Sequence, residues 1–144
     1  MRVRIDEPNP RPFDLDQGLI KLFQGDSMTR IERLEPGPRM SQAVIHNGVV
    51  YLAGQVAADA QGAPVKEQTV NILQRIDRLL AAAGTDKTKL LSATIWLADI
   101  RTFDEMNGAW DKWVAEGGTP ARATVEAKLA SPVYTVEIAV IAAI

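Results

Sequence analysis

Tyr134-Thr135-Val136-Glu137-Ile138-Ala139-Val140-Ile141-Ala142-Ala143 decides how this chain folds. At the two-residue period of a strand, Val136, Ile138, Val140 and Ala142 fall on one side. The other side carries Ala139, Ile141 and Ala143, so it is almost as apolar, with Glu137 as the exception, and Tyr134 at the strand's entry is apolar as well. A strand that is apolar on both faces is covered on both faces. A glutamate inside such a strand is costly unless something compensates it.

Moving outward from this strand, residues 122–129 read as the strand before it, entered through Gly117-Gly118-Thr119-Pro120. Residues 102–115 read as a helix with an apolar stripe of Phe103, Met106, Trp110, Trp113 and Val114. Thr102 suits its N-cap, and Asp104 and Glu105 suit its first turn. Residues 90–98 read as a strand with Leu91, Ala93, Ile95 and Leu97 on one face and Trp96 on the other. Residues 67–83 read as a first helix, striped by Val70, Leu73, Ile76, Leu80 and Ala83, with Gly84 as the C-cap glycine. Before it, residues 31–35, 41–46 and 49–55 read as strands, the last two joined by a hairpin at His46-Asn47-Gly48. The order β-β-β-α-β-α-β-β predicts an α/β (α+β) domain with a mixed sheet and both helices on one face. That leaves one apolar sheet face bare, and self-association is the physical way to cover it.

Composition narrows the chemistry. The 144 residues suit one domain, and a net charge of -2 gives no basic field for nucleic acid. With no cysteine and a single histidine, His46, neither a disulfide nor a tightly held zinc is expected. No apolar run is long enough to span a membrane, and Met1-Arg2-Val3-Arg4 is not followed by a leader-like apolar stretch. A cytoplasmic protein is expected. Residues 1–29, with Pro8, Pro10 and Pro12, read as an extension, either an arm on a neighbouring subunit or a disordered tail, and Met28 is an alternative start.

The segment Pro120-Ala121-Arg122-Ala123-Thr124-Val125-Glu126 resembles the P-A-R-[SA]-x-V-E signature of the RidA/YjgF (reactive intermediate deaminase A) family. Ser41-Gln42-Ala43-Val44 and Ala53-Gly54-Gln55 resemble its S-Q-A-V and S-G-Q segments. Glu67-Gln68-Thr69, Ala83-Gly84, Phe103 with Asn107, and Val136-Glu137-Ile138 follow in the family's order, so the resemblance covers residues 30–144. It implies a chorismate mutase-like fold: a six-stranded mixed sheet with two helices on one face, three sheets closing into a trimeric barrel with clefts between subunits. It also implies hydrolysis of 2-imino acids and their enamine tautomers to 2-keto acids and ammonia, without cofactor or metal.

Residue by residue, the resemblance implies that Arg122 holds the substrate carboxylate, a task suited to a planar, bidentate guanidinium. It implies that Glu137 positions or activates the attacking water; partial burial would raise its pKa, which suits proton transfer. Gly54, Thr124 and Asn107 are the further binding candidates, Gly54 through close backbone approach and Asn107 with a structural amide role as its alternative. Two matching positions depart from the pattern. Met40, beside Arg39, stands where strongly active members carry a tyrosine, and Ala53 replaces the serine of S-G-Q. Both losses remove hydroxyls, and with Trp96, Trp110 and Trp113 they indicate a divergent, YoaB-like branch. The rival expectation is a non-catalytic trimer that binds a 2-keto acid or similar small carboxylate-bearing metabolite.

Overall fold

The structure is a computed structural model and describes residues 29–144. The expected N-terminal extension lies outside the described residues, save Thr29. Ile31–Ile144 forms one compact unit.

β1 (Glu32–Pro36), β2 (Ser41–His46) and β3 (Val49–Leu52) form an antiparallel meander. The β2–β3 turn uses Asn47 at φ 51° and Gly48 at φ 73°, the paired positive φ values for which Asn-Gly is suited. β4 (Gln55–Val56) follows, then helix α1 (Val65–Ala82), β5 (Leu90–Leu97), helix α2 (Phe103–Trp113), β6 (Ala121–Glu126) and β7 (Val136–Ala143). The seven-stranded sheet runs β1-β2-β3-β7-β5-β6, with β4 also on β7. β5 and β6, linked through α2, are parallel; every other pair is antiparallel. The sheet is therefore mixed and carries two helices, as expected. The strand expected over 49–55 is interrupted at Ala53-Gly54, which turns one strand into two and six into seven. At the break the Ala53 N–H donates to Gln42 C=O at 2.9 Å, while Gln55 and Val56 rejoin β7 opposite Ile138 and Glu137.

The core lies between the helices and one sheet face. Val136, Ile138, Val140 and Ala142 of β7 are buried there with Leu90, Ala93, Ile95 and Leu97 of β5. Leu91 corrects the expected pattern. A register shift between Leu90 and Ser92 turns Leu90 inward and leaves Leu91 49% exposed. On α1, Ile72, Leu73, Ile76, Leu79 and Leu80 are buried, whereas Val70 is exposed, one position off the buried Thr69. The helix ends in a Schellman motif: Gly84 N–H donates to Ala81 C=O, Thr85 N–H donates to Leu80 C=O, and Gly84 takes φ 83°. Thr102 precedes α2 but donates its hydroxyl to Asp99 C=O rather than capping the helix.

The register also defines the opposite face. Val44 faces Tyr51, which faces Ile141; Thr94 lies between Ala139 and Ala123; Trp96 lies between Glu137 and Val125. No element among the described residues covers these rows, and Tyr51 and Val125 stand about half exposed.

Candidate ligand site in two halves

β6 ends the sheet, so one of its edges is free among the described residues. Ala127 N–H donates to Leu97 C=O at 2.9 Å. Backbone direction alternates along a strand, which turns the N–H groups of Arg122 and Thr124 to the free edge. Arg122 itself pairs with Ala93, a core residue, so its side chain starts on the helix-covered face. There Nη1 donates to Asn107 Oδ1 at 2.8 Å. The guanidinium carbon lies 5.3 Å from the Trp110 ring centre and 5.9 Å from that of Phe103, within the range of cation–π attraction. Among the described residues no carboxylate pairs with Arg122. Thr124, two positions on, faces the same way opposite Ile95, and its buried Oγ1 has no hydrogen-bond partner among the described residues.

Glu137 belongs to the other face. It pairs with Trp96 on one side and Val56 on the other. Partial burial pushes its carboxyl above the usual carboxylate range. Gly54 makes room for it: a Cβ at Gly54 would stand 2.8 Å from Glu137 Oε2. Ala53 adjoins this pair. Gln55 Nε2 bridges Gln42 Oε1 and Ala53 C=O at the strand break. Met40, 49% exposed, lines a groove of about 600 Å³ with Arg39 and Gln42.

The expected site residues thus fall into two groups. Arg122, Asn107 and Thr124 gather on the helix side of the edge strand. Glu137, Gly54 and Ala53 gather on the bare face, with Met40 linked to them through Gln42. Within one chain these groups start from opposite faces of the sheet and are not brought together. The sequence reading assigned Phe103 and Trp110 to the helix core; both pack on Arg122. Phe103, Asn107 and Trp110 are spaced four and three apart, one stripe of a helix, which was the available signal. Among the described residues no group of His, Cys, Asp and Glu side chains gathers as metal ligands, and no helix is long and apolar enough to cross a membrane.

The family model described as Endoribonuclease L-PSP matches residues 30–144. The chain belongs to this RidA/YjgF family. It is 45% identical over 114 residues to a RutC family protein of Haemophilus ducreyi, covering 79% of this chain and 97% of that protein. It is 44% identical to the RutC family protein YoaB of Escherichia coli, covering 79% and 98% of the two chains. Among solved structures, a YjgF family member from Neisseria meningitidis superposes with a TM-score of 0.78 at 46% identity, covering 81% of this chain and 96% of the other. A Rid family protein from Yersinia pestis gives a TM-score of 0.70 at 32% identity, covering 76% and 90%.

Proposed function

We propose that this protein hydrolyses 2-imino acids and their enamine tautomers to 2-keto acids and ammonia, in the cytoplasm and without a cofactor, in a site completed between copies of a trimer. The observation that carries this reading is the Arg122 guanidinium: exposed on an edge strand, held by Asn107, and paired with no carboxylate among the described residues. A carboxylate-bearing ligand is its natural complement. The bare face around Tyr51, Ile141 and Trp96 supports assembly. The opposite placement of the two groups supports a cleft in which Glu137 and Gly54 of one copy meet Arg122 and Thr124 of the next.

In that cleft the substrate carboxylate sits on Arg122, which fixes the imine carbon. Glu137 accepts a proton from a water as the water's oxygen bonds to that carbon. Glu137 returns that proton to the nitrogen as the C=N double bond opens; the carbinolamine's hydroxyl proton then passes to the nitrogen, the C–N bond breaks to release ammonia and the C=O forms. An enamine is first protonated at carbon to reach the imine. Imines already hydrolyse in water, so the protein supplies orientation and charge placement. By strand alternation from Ala127, the N–H of Thr124 is turned to the edge of β6 that is free among the described residues, which makes it a further donor. The family model's description speaks of ribonuclease; the net charge of -2 does not favour RNA, and His46 lies on β2, at the far side of the sheet from β6.

One observation favours a second reading, a trimer that binds 2-keto acids without turnover. Neither Met40 nor Ala53 offers a side-chain hydroxyl near Glu137. One experiment separates the two: ammonia and keto-acid release from freshly generated 2-imino acids of several sizes, for wild type and Arg122→Ala. Turnover that falls at least ~100-fold in kcat/KM in the variant, the order for a lost charge-assisted bidentate contact, supports the deaminase. Binding of 2-oxobutanoate without turnover supports the second reading. Equal turnover by both proteins contradicts the role of Arg122.

A further inference from the structure

The contacts of Arg122 are unequal around its guanidinium. Nη1 alone is committed, to Asn107 Oδ1. A guanidinium offers five N–H groups in a rigid fork. Whichever hydrogen of Nη1 Asn107 takes, Nε–H and the Nη2 hydrogen beside it remain together as a two-pronged edge. Neither nitrogen meets an acceptor among the described residues. Asn107 does not act alone. Phe103, Asn107 and Trp110 form one stripe of α2, and both rings lie within 6 Å of the guanidinium carbon. Trp110 is fixed in turn: it is 5% exposed and packs on Trp113 at 5.4 Å between ring centres. Trp113 Nε1 donates to Asp77 Oδ2 at 3.0 Å, which ties α2 to α1. A long side chain on an edge strand would otherwise sample many rotamers.

Resting on the reading of Arg122 as the carboxylate clamp, we propose that Asn107, Phe103 and Trp110 are a positioning set. They hold Arg122 from its Nη1 corner and present its Nε–Nη2 edge, so the ligand carboxylate docks side-on. Asn107 on this account touches Arg122 and not the reacting atoms. Because the clamp holds the carboxylate equally before and during reaction, loosening it raises KM more than it lowers kcat. Phe103, more exposed than Trp110, lies beside the docked carboxylate and borders the space for the substrate's remaining atoms.

The test is calorimetric titration of the full-length protein with 2-oxobutanoate, together with imine turnover. The proteins are wild type, Asn107→Leu, Phe103→Leu and Arg122→Ala. Asn107→Leu keeps the side-chain size and removes the acceptor. It is expected to weaken 2-oxobutanoate binding about five- to tenfold, the order for ordering one long side chain, and to raise KM in step while kcat moves less. Phe103→Leu is expected to weaken binding about two- to threefold through the lost cation–π contact, and it stands as the second probe should Asn107→Leu fold poorly. Wild-type affinity in both variants, with binding abolished in Arg122→Ala, overturns the positioning set and leaves the clamp intact. A fall in kcat at unchanged KM in Asn107→Leu also overturns it. Unchanged binding in Arg122→Ala removes the clamp reading, and this inference with it.

Discussion

The two halves of the candidate site are built on different physics. The Arg122 half is a set of partnered groups: an amide oxygen on Nη1, rings beneath the guanidinium, and a helix stripe behind them. The Glu137 half is defined by what is withheld. Its carboxyl loses water to burial and, among the described residues, gains no cation in exchange; the space left by Gly54 is shaped to it. One half is shaped to hold charge in place, the other to make charge expensive. Binding calls for the first, and proton transfer near neutrality calls for the second. The difference also explains the bare face: a carboxyl with raised pKa sits where a second copy would shield it further.

The comparison is broken most sharply at Glu137. Glu137→Gln removes the proton acceptor and keeps the shape. We expect kcat for 2-imino acid hydrolysis to fall about 10²-fold, within the usual range for general-base loss, with KM little changed. The contrast with Arg122→Ala, which raises KM, is the kinetic signature of two separate roles. In the wild type, activity should fall as pH drops through the raised pKa of Glu137, because its carboxylate is then protonated; the Gln variant should lose that limb.

Gly54→Ala is the next largest. The added methyl meets the far end of the Glu137 side chain at 2.8 Å, and that end can swing away. The chain should therefore fold with a Tm near wild type while kcat drops about tenfold, the cost of a displaced catalytic group. An equal loss of Tm and kcat would mean that Gly54 is there for packing alone.

The stability of the Glu137 half gives the smallest effect. Its folded pKa lies above its ordinary value, so its contribution is fully present at low pH and is lost as pH rises through the folded pKa. Glu137→Gln should then raise Tm relative to wild type at pH 8, with the difference shrinking towards pH 4. A difference that grows on acidification would reverse the sign of the burial argument.

Much of the fold was legible in residues. The two-faced apolar run at 134–143, the Asn47-Gly48 turn and the Gly84 cap are local features, and local chemistry settles them. The P-A-R-A-T-V-E segment pointed to Arg122, and V-E-I pointed to Glu137. The departures in the sheet depend on register, which is set by pairing across the sheet and not by the strand's own sequence. The irregularity between Leu90 and Ser92 moved Leu91 outward. The interruption at Ala53-Gly54 split a strand. The parity of Arg122 against Ala93, and of Glu137 against Trp96, sent the two site residues to opposite faces. No single-strand pattern carries that information, and the sequence reading accordingly gave both residues a part in one reaction without showing that they meet in one cleft.

The central claim, that the halves meet between copies, is tested most directly by mixing. Arg122→Ala and Glu137→Gln proteins, each strongly impaired alone at substrate below the wild-type KM, are unfolded together, refolded as mixed assemblies and assayed there for 2-imino acid hydrolysis. If Arg122 of one copy works with Glu137 of the next, mixed assemblies regain roughly a quarter of wild-type activity, the statistical share of interfaces that join two intact halves. If the mixture is no more active than its parents while mass measurement shows that the copies have mixed, both residues act from the same chain and the account is contradicted.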